Sequence, residues 1–595
     1  MVYLEHSETL SFDQERIADA QILRGNVIFR HEDALMYCDS AYFYEKENSL
    51  DAFGHVRFVQ GDTLLGYGDK LFYNGNSKFA RLRRHVRLVH GKDNPTILTT
   101  DSLNYDRMRD IAYYYTGGTI SDTLNTLTSV WGQYTPNNKQ AVFSHRVHLE
   151  NPKFDLATDT LLYNTDTHIA DLISPTTIVY EKETNIYSSR GWYNTETEQS
   201  MLLDRSRVVH IDGKSMTGDT IFYNKHLGYG KMIGSMEMKD TVQMVTLYGN
   251  YGEMFHDGEY GYVTDSALMV DWSDSAAYGY MHADTLYSET VPFQIQRLVP
   301  RDSVLIDSVL TAVEPDTLWQ DTTYRAMRAF HNVRIYREDM QAVCDSMSYN
   351  GRDSVMTLYT EPVCWSDNHQ ISADTIYIYM RNGTIDYARG IGSALTIQQE
   401  TDTYFDQMAG KEMIAYIRDG ELRQVDVNGN ALTVFFPKED DGSFLGVNTT
   451  QSSFVKVYIE NQKIHHILFT AQTTGTLYPL DQVPDGKDRL NGFFWAEQER
   501  PQQPADVFLR PLRTPRPTSG AVSAVAAEPE TASATDIPQE NKENYNKHET
   551  LTLYTWYCTN HLCRLGAESA ARLWFADRFR TTRLASQLAR NTLSV

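Results

Sequence analysis

No run of 18 apolar residues occurs in the 595-residue chain, so no segment reads as a membrane-spanning helix. Cysteine is scarce. Cys38, Cys344, Cys364, Cys558 and Cys563 are too few and too scattered for a disulfide framework, and no Cys-x-x-Cys pair points to zinc or thiol redox chemistry. Proline is rare before residue 500, which leaves long uninterrupted stretches for regular structure. Basic residues are in deficit: the net charge of −24 means that most of the surface would repel a phosphate backbone, which argues against nucleic-acid binding. The first twenty residues hold five acids and neither a basic n-region nor an apolar h-region, so they do not read as a secretory signal. On that ground the chain reads as cytoplasmic or as a processed or truncated form. What is abundant is aromatic: 38 Tyr and 24 Phe, within a hydrophobic content of 41%, suit pleated, half-buried surfaces and are enough to bury sizeable cores.

A motif returns along the chain. Aligned on its aspartate it reads CDSAYFY at Asp39, GDKLFY at Asp69, TDSLNY at Asp101, TDTLLY at Asp159, GDTIFY at Asp219, ADTLY at Asp284, CDSMSY at Asp345 and ADTIYIY at Asp374. The gaps of 30, 32, 58, 60, 65, 61 and 29 are one or two periods of about thirty, and the degenerate units WGQY, SRGWY and YGNYGEMF fall in the vacancies. Each unit alternates as a strand, with Leu161 and Tyr163 on the face of Asp159, and companion strands GNVIF, GHVRF and RHVRL precede several copies. Turn signals such as YNGN and VNGN separate them. The predicted fold is therefore all-β, a repetitive antiparallel array with a long apolar interior. Residues 1–290 and 327–500 are expected to hold the repeats, with 291–326 as an insertion or loop. Residues 501–548, rich in Pro, Ala and Ser, read as a disordered linker, and 549–595 as a basic, helical tail.

Signatures of catalysis are missing from the sequence. It contains no GxSxG, HExxH or GxxxxGKS, so the chain reads as a non-enzyme without cofactor or metal. His145 and His148 are three apart on a presumed strand and face opposite sides. A β-helix glycosidase would need one carboxylate pair in one cleft, whereas an aspartate in every unit is most simply a strand-entry residue that bonds local backbone amides.

The units LRGNVIFRHEDALMYCDSAYFY, DAFGHVRFVQGDTLLGYGDKLFY and LTTDSLNYDRMRD, followed by QVDVNGNALTVFF, DGSFLGVNTTQSSFVKVYI, LYPLDQV and LNGFFWAEQERP, resemble the OstA-like proteins of the LptA/LptD lipopolysaccharide-transport superfamily. The likeness covers about residues 1–501 and is to the long, soluble form without the outer-membrane barrel. It implies a β-jellyroll in the periplasm, associated with the outer membrane, that bridges or chaperones lipopolysaccharide by shielding lipid A acyl chains. Its partners would be lipid A and other jellyroll components of the transport machinery, joined by edge-strand pairing, with self-association through the same edges. The lining positions expected for such a groove are Leu71, Tyr73, Leu103, Tyr105, Leu161, Tyr163, Ile221, Tyr223, Met347, Tyr349 and Ile376. Arg81, Arg83, Arg84 and Arg87, concentrated in an acidic chain, are expected either on a solvated sheet face or at a rim that meets lipid phosphates. The alternative reading is a β-repeat scaffold that binds protein or glycan without transporting lipid.

Overall fold

The computed structural model describes residues 1–513 and 516, apart from 14, 16, 18, 62–63, 92–94, 256–258, 300–303, 307–308, 312–315, 382, 419, 440 and 461–462. Among the described residues the fold is all-β: 38 strands join one antiparallel sheet, and Val304–Ile306 pairs with Val309–Thr311 as a separate two-stranded piece. Neighbours in sequence are neighbours in the sheet. Gln21–His31 pairs with Ala34–Tyr44, that strand with Ser49–Gln60, then Leu64–Asn74, Phe79–His90 and Thr96–Asp106.

The sheet is folded in half along its length. Met36 lies opposite Phe29, and Phe43 is seven residues further along the same strand, a separation of about 20 Å in a flat sheet at ~3.3 Å per residue. Yet the rings of Phe29 and Phe43 are 5.4 Å apart, and His31 Nδ1 is 2.6 Å from the Tyr73 hydroxyl. Two half-sheets therefore face each other across a core, joined by a corner.

The corner is the thirty-residue period made structural. Every second strand crosses it on two consecutive left-handed residues: Gly25 and Asn26, Gly54 and His55, Arg84 and His85, His145 and Arg146, Asp204 and Arg205, Gly234 and Ser235. The pattern resumes at His331 and Asn332, Gly392 and Ser393, and Gly429 and Asn430. At each, the register shifts, so a β-bulge turns the ladder. The recurrent aspartate seats this bulge from the neighbouring strand. A Cβ built on Gly54 would lie 2.3 Å from Asp39 Oδ2, and one on Gly234 would lie 2.6 Å from Asp219 Oδ2, so glycine is required there by space as well as by φ. The second corner residue binds the carboxylate with or without a glycine before it: His55 Nδ1 is 2.7 Å from Asp39, His85 Nδ1 is 2.9 Å from Asp69, and Asn332 Nδ2 donates to Asp284 at 2.8 Å.

Three expectations are refined or corrected. The aspartate is a strand-entry residue at Asp284 and Asp374, immediately before Thr285–Val299 and Thr375–Arg381; the other copies sit mid-strand at the corner, where the bulge slips the alternation by one, so Asp159 is exposed while Leu161 is buried. Residues 291–326, expected as an insertion, carry a hairpin rather than a bare loop: Thr285–Val299 and Asp316–Arg337 pair along their length, past the end of the neighbouring strands. Residues 501–513 and 516, assigned to the linker by their prolines, continue a strap that residues 488–500 begin on the outside of the sheet. Its anchors are buried glutamines and an arginine. Gln407 donates to the Asp488 carbonyl and accepts from Leu490 N–H, Gln370 donates to the Phe494 carbonyl and accepts from Ala496 N–H, and Arg334 donates to the Glu499 and Asp506 carbonyls. Phe493, Phe494 and Trp495 fill the space between, against Phe405, Ile397 and Trp365. Residues 517–595, including the rest of the linker and the basic tail, lie outside the described residues.

Candidate functional site, an apolar slot inside the folded sheet

Between the half-sheets runs a cavity of about 1800 Å³, whose lining residues run from Asp33 to Met327. Sites for drug-sized ligands are typically ~300–1,000 Å³, so this slot suits something longer. Its floor beside the corner is one cross-strand row, in which Leu82 neighbours Leu103, Phe143 neighbours Leu161, Leu161 neighbours Leu172, and Leu202, Ile221 and Met232 follow in turn. The next row out is a ladder of large and small side chains. Tyr73, Ala80, Tyr105, Ala112, Tyr134, Ala141, Tyr163, Ala170, Tyr193, Ser200, Tyr223 and Gly230 are successive cross-strand partners. Tyrosine on one strand and a small residue on the next leaves a furrow between rings, which is how a sheet lined with aromatics keeps space open. Toward the far end the wall becomes Met216, Met232, Met236, Met238 and Met254, flexible side chains that adapt to an irregular guest.

Strand breaks at the corner would leave backbone groups unmet inside an apolar space, and hydroxyls meet them. Thr100 Oγ1 donates to the Gly117 carbonyl at 2.6 Å, Ser174 Oγ accepts from Thr160 N–H at 2.9 Å, and Ser206 Oγ donates to the Leu203 carbonyl at 2.7 Å. The slot thus has no strong charge on its floor.

Opposite the corner the two margins of the sheet meet in a seam. At the N-terminal end it is shut: Arg107 donates to Asp33 at 2.6 Å and to the Tyr73 hydroxyl at 3.1 Å, and Lys78 lies 2.6 Å from Glu32. Burial lowers the pKa of His31 beneath this contact, keeping a neutral ring against Tyr73. Further along, Lys153 meets Glu198 at 2.8 Å, Phe154 meets Tyr193, and Lys225 meets Tyr180 and Glu181. Between these closures the tyrosines bond within their own margin, Tyr105 to Asp110 and Tyr163 to Thr195. In that interval no hydrogen bond or ion pair among the described residues joins the margins, and Leu124, 64% exposed, lines the cavity from the facing side.

Six of the expected lining residues, Leu103, Tyr105, Leu161, Tyr163, Ile221 and Tyr223, lie in this cavity wall. Leu71 and Tyr73 point to the same interior but belong to the packed N-terminal end, and Met347, Tyr349 and Ile376 to a filled stretch beyond the cavity. Tyr134 and Tyr193, in the degenerate units WGQY and SRGWY, stand in the same ladder and were missed because those units lack the aspartate. The four arginines do not surround the seam. Arg84 occupies the corner, Arg87 lies over Tyr67 and Arg81 over Phe79 on the outer faces, and Arg83 donates to the Leu82 and Leu103 carbonyls and to Asn104. Alternation decides this, since Ala80, Leu82 and Val86 take the inner positions. His145 is a corner residue, whereas His148 meets Asp155 and Glu150 on the exposed face, an ordinary surface ion pair.

Residues 1–159 match the OstA-like protein family. This stretch is OstA-like. No curated protein matches the chain. The OstA-like segment contains the shut end of the seam and the first part of the slot; past residue 159 the ladder continues as far as Gly230 and the corner as far as Gly429 and Asn430.

Proposed function

We propose that the chain is a lipopolysaccharide-binding bridge or chaperone that holds lipid A acyl chains in the slot during transport to the outer membrane. The observation that supports this best is the continuity of the cavity over more than eight repeat units, with apolar rows on its floor. Each methylene withdrawn from water contributes about 0.8 kcal/mol, so one 14-carbon chain contributes on the order of 10 kcal/mol, far more than any polar contact along the seam. A row of similar side chains makes successive positions along the slot nearly equal in energy, so a chain can move without a deep trap. The partners in this reading are lipid A and other jellyrolls that pair with the free edges: Tyr3–His6 and Thr9–Phe12 at one end, Lys463–Thr470 and Thr474–Tyr478 at the other.

The test is a titration of the purified protein with a fluorescent 16-carbon fatty acid. Saturable binding, reversed by lipid A, is the expected result. A protein that binds neither probe while remaining folded by circular dichroism overturns the reading.

A further inference from the structure

The seam closure over the middle of the slot is a pair of ion pairs of opposite polarity. One margin carries Lys153 and Glu181, adjacent because Glu181 N–H donates to the Lys153 carbonyl at 2.7 Å. The other carries Glu198 and Lys225, adjacent because Lys225 N–H donates to the Glu198 carbonyl at 3.2 Å. Lys153 reaches across to Glu198 at 2.8 Å, and Lys225 to Glu181 at 3.4 Å while its ammonium also lies over the Tyr180 ring. All but Glu181 line the slot. Two cations from opposite margins thus stand in neighbouring ion pairs beside an apolar space, each neutralised by a carboxylate of the protein's own. Their side chains are 35% to 55% exposed, so the carboxylates hold them through weak, salt-screened contacts.

We propose that Lys153 and Lys225 form a recognition site for the anionic head group of the slot's guest, in which a phosphate monoester displaces Glu198 and Glu181 and is held between the margins. This rests on the reading of the slot as an acyl-chain site. Phosphate presents three acceptor oxygens and close to two charges, so one group can satisfy both ammoniums where two separate carboxylates did so before. The exchange also unlatches the seam: cargo with the right head group opens the passage through which its chains enter beside Leu124. A guest without the anion leaves the latch closed.

The experiment compares wild type with two double variants, Lys153→Gln/Lys225→Gln and Glu181→Gln/Glu198→Gln, using diphosphoryl lipid A, its dephosphorylated form and inorganic phosphate. Wild type is expected to prefer the diphosphoryl form about tenfold. The lysine variant should bring the ratio below about threefold, and the glutamate variant should raise it above tenfold. Both variants break the same ion pairs, so a purely structural latch would move the ratio in the same direction in both, and that result overturns the proposal. Inorganic phosphate at 10 mM should leave the diphosphoryl preference in place; if it abolishes the preference, the site belongs to a free anion and the head-group assignment is overturned. If neither lipid binds to any of the folded proteins, the acyl-chain reading itself falls, an outcome distinct from equal binding of both lipids by wild type, which removes only the head-group site.

Discussion

The stretch from Phe58 to Met327 and the stretch from Ala329 to Phe469 use the same bent strands, yet the first encloses a slot and the second is filled. The difference lies in one row of side chains. In the first, tyrosines alternate with Ala80, Ala112, Ala141, Ala170, Ser200 and Gly230; in the second, the equivalent row begins Tyr349, Met356 and Ile378, large against large, and then runs Ala388, Ala415 and Val425 with no tyrosine between them. The filled stretch also carries the strap on its outer face, so it is three layers deep where the slot-bearing stretch is two. A folded sheet does not by itself make a cavity. The slot goes with the strict alternation of tyrosine and a small residue, which the filled stretch does not keep.

Substitutions separate the two. Trp365→Ala removes the largest fully buried side chain under the strap and should cost about 3–5 kcal/mol in urea unfolding, while the folded fraction still binds the fatty-acid probe. Asp406, in the filled stretch, has its pKa raised to about 7 by burial, with the Phe436 N–H donating to it at 2.8 Å. Its folded pKa lies above the unfolded value of 3.8, so its neutral form favours folding. That contribution is complete below about pH 4 and is lost as pH rises toward 7. Asp406→Asn should therefore gain on wild type by about 2–4 kcal/mol between pH 4 and pH 8, read from unfolding curves at each pH. A flat difference would mean that the carboxyl is not buried as described. Ala342→Phe, at a fully buried position of the filled stretch, should cost about 1–3 kcal/mol by overpacking. The same change at Ala141 projects into the slot: its melting temperature should stay near wild type while probe binding weakens about tenfold. Smallest is the corner. Gly54→Ala places a Cβ against Asp39 at a left-handed residue, and a loss of about 1–2 kcal/mol is expected in the same unfolding assay.

Much of this was legible in the chain. The thirty-residue aspartate period marked the corner, and the Leu and Tyr two and four residues later marked the inner rows, because side-chain direction follows alternation once the strand is known. Alternation across the corner was not legible, since a bulge of one residue reverses facing and its position depends on φ values that Arg84 and His85 do not advertise as Gly54 does. The latch was invisible for another reason: Lys153 and Glu198 come together only when the sheet folds in half, and nothing local to either residue records that partner. Residues 501–513 were misread because their prolines suggested disorder, whereas Arg334, far away in sequence, donates to the Asp506 carbonyl and holds them against the sheet.

The most direct measurement is photocrosslinking in cells, with a photoreactive residue placed in turn at Leu161, Ile221, Met347 and Ile376. Adducts with lipopolysaccharide at Leu161 and Ile221, and none at Met347 and Ile376, are the predicted outcome. Adducts at none of the four, or equal adducts at all of them, would contradict a lipid slot confined to the first stretch.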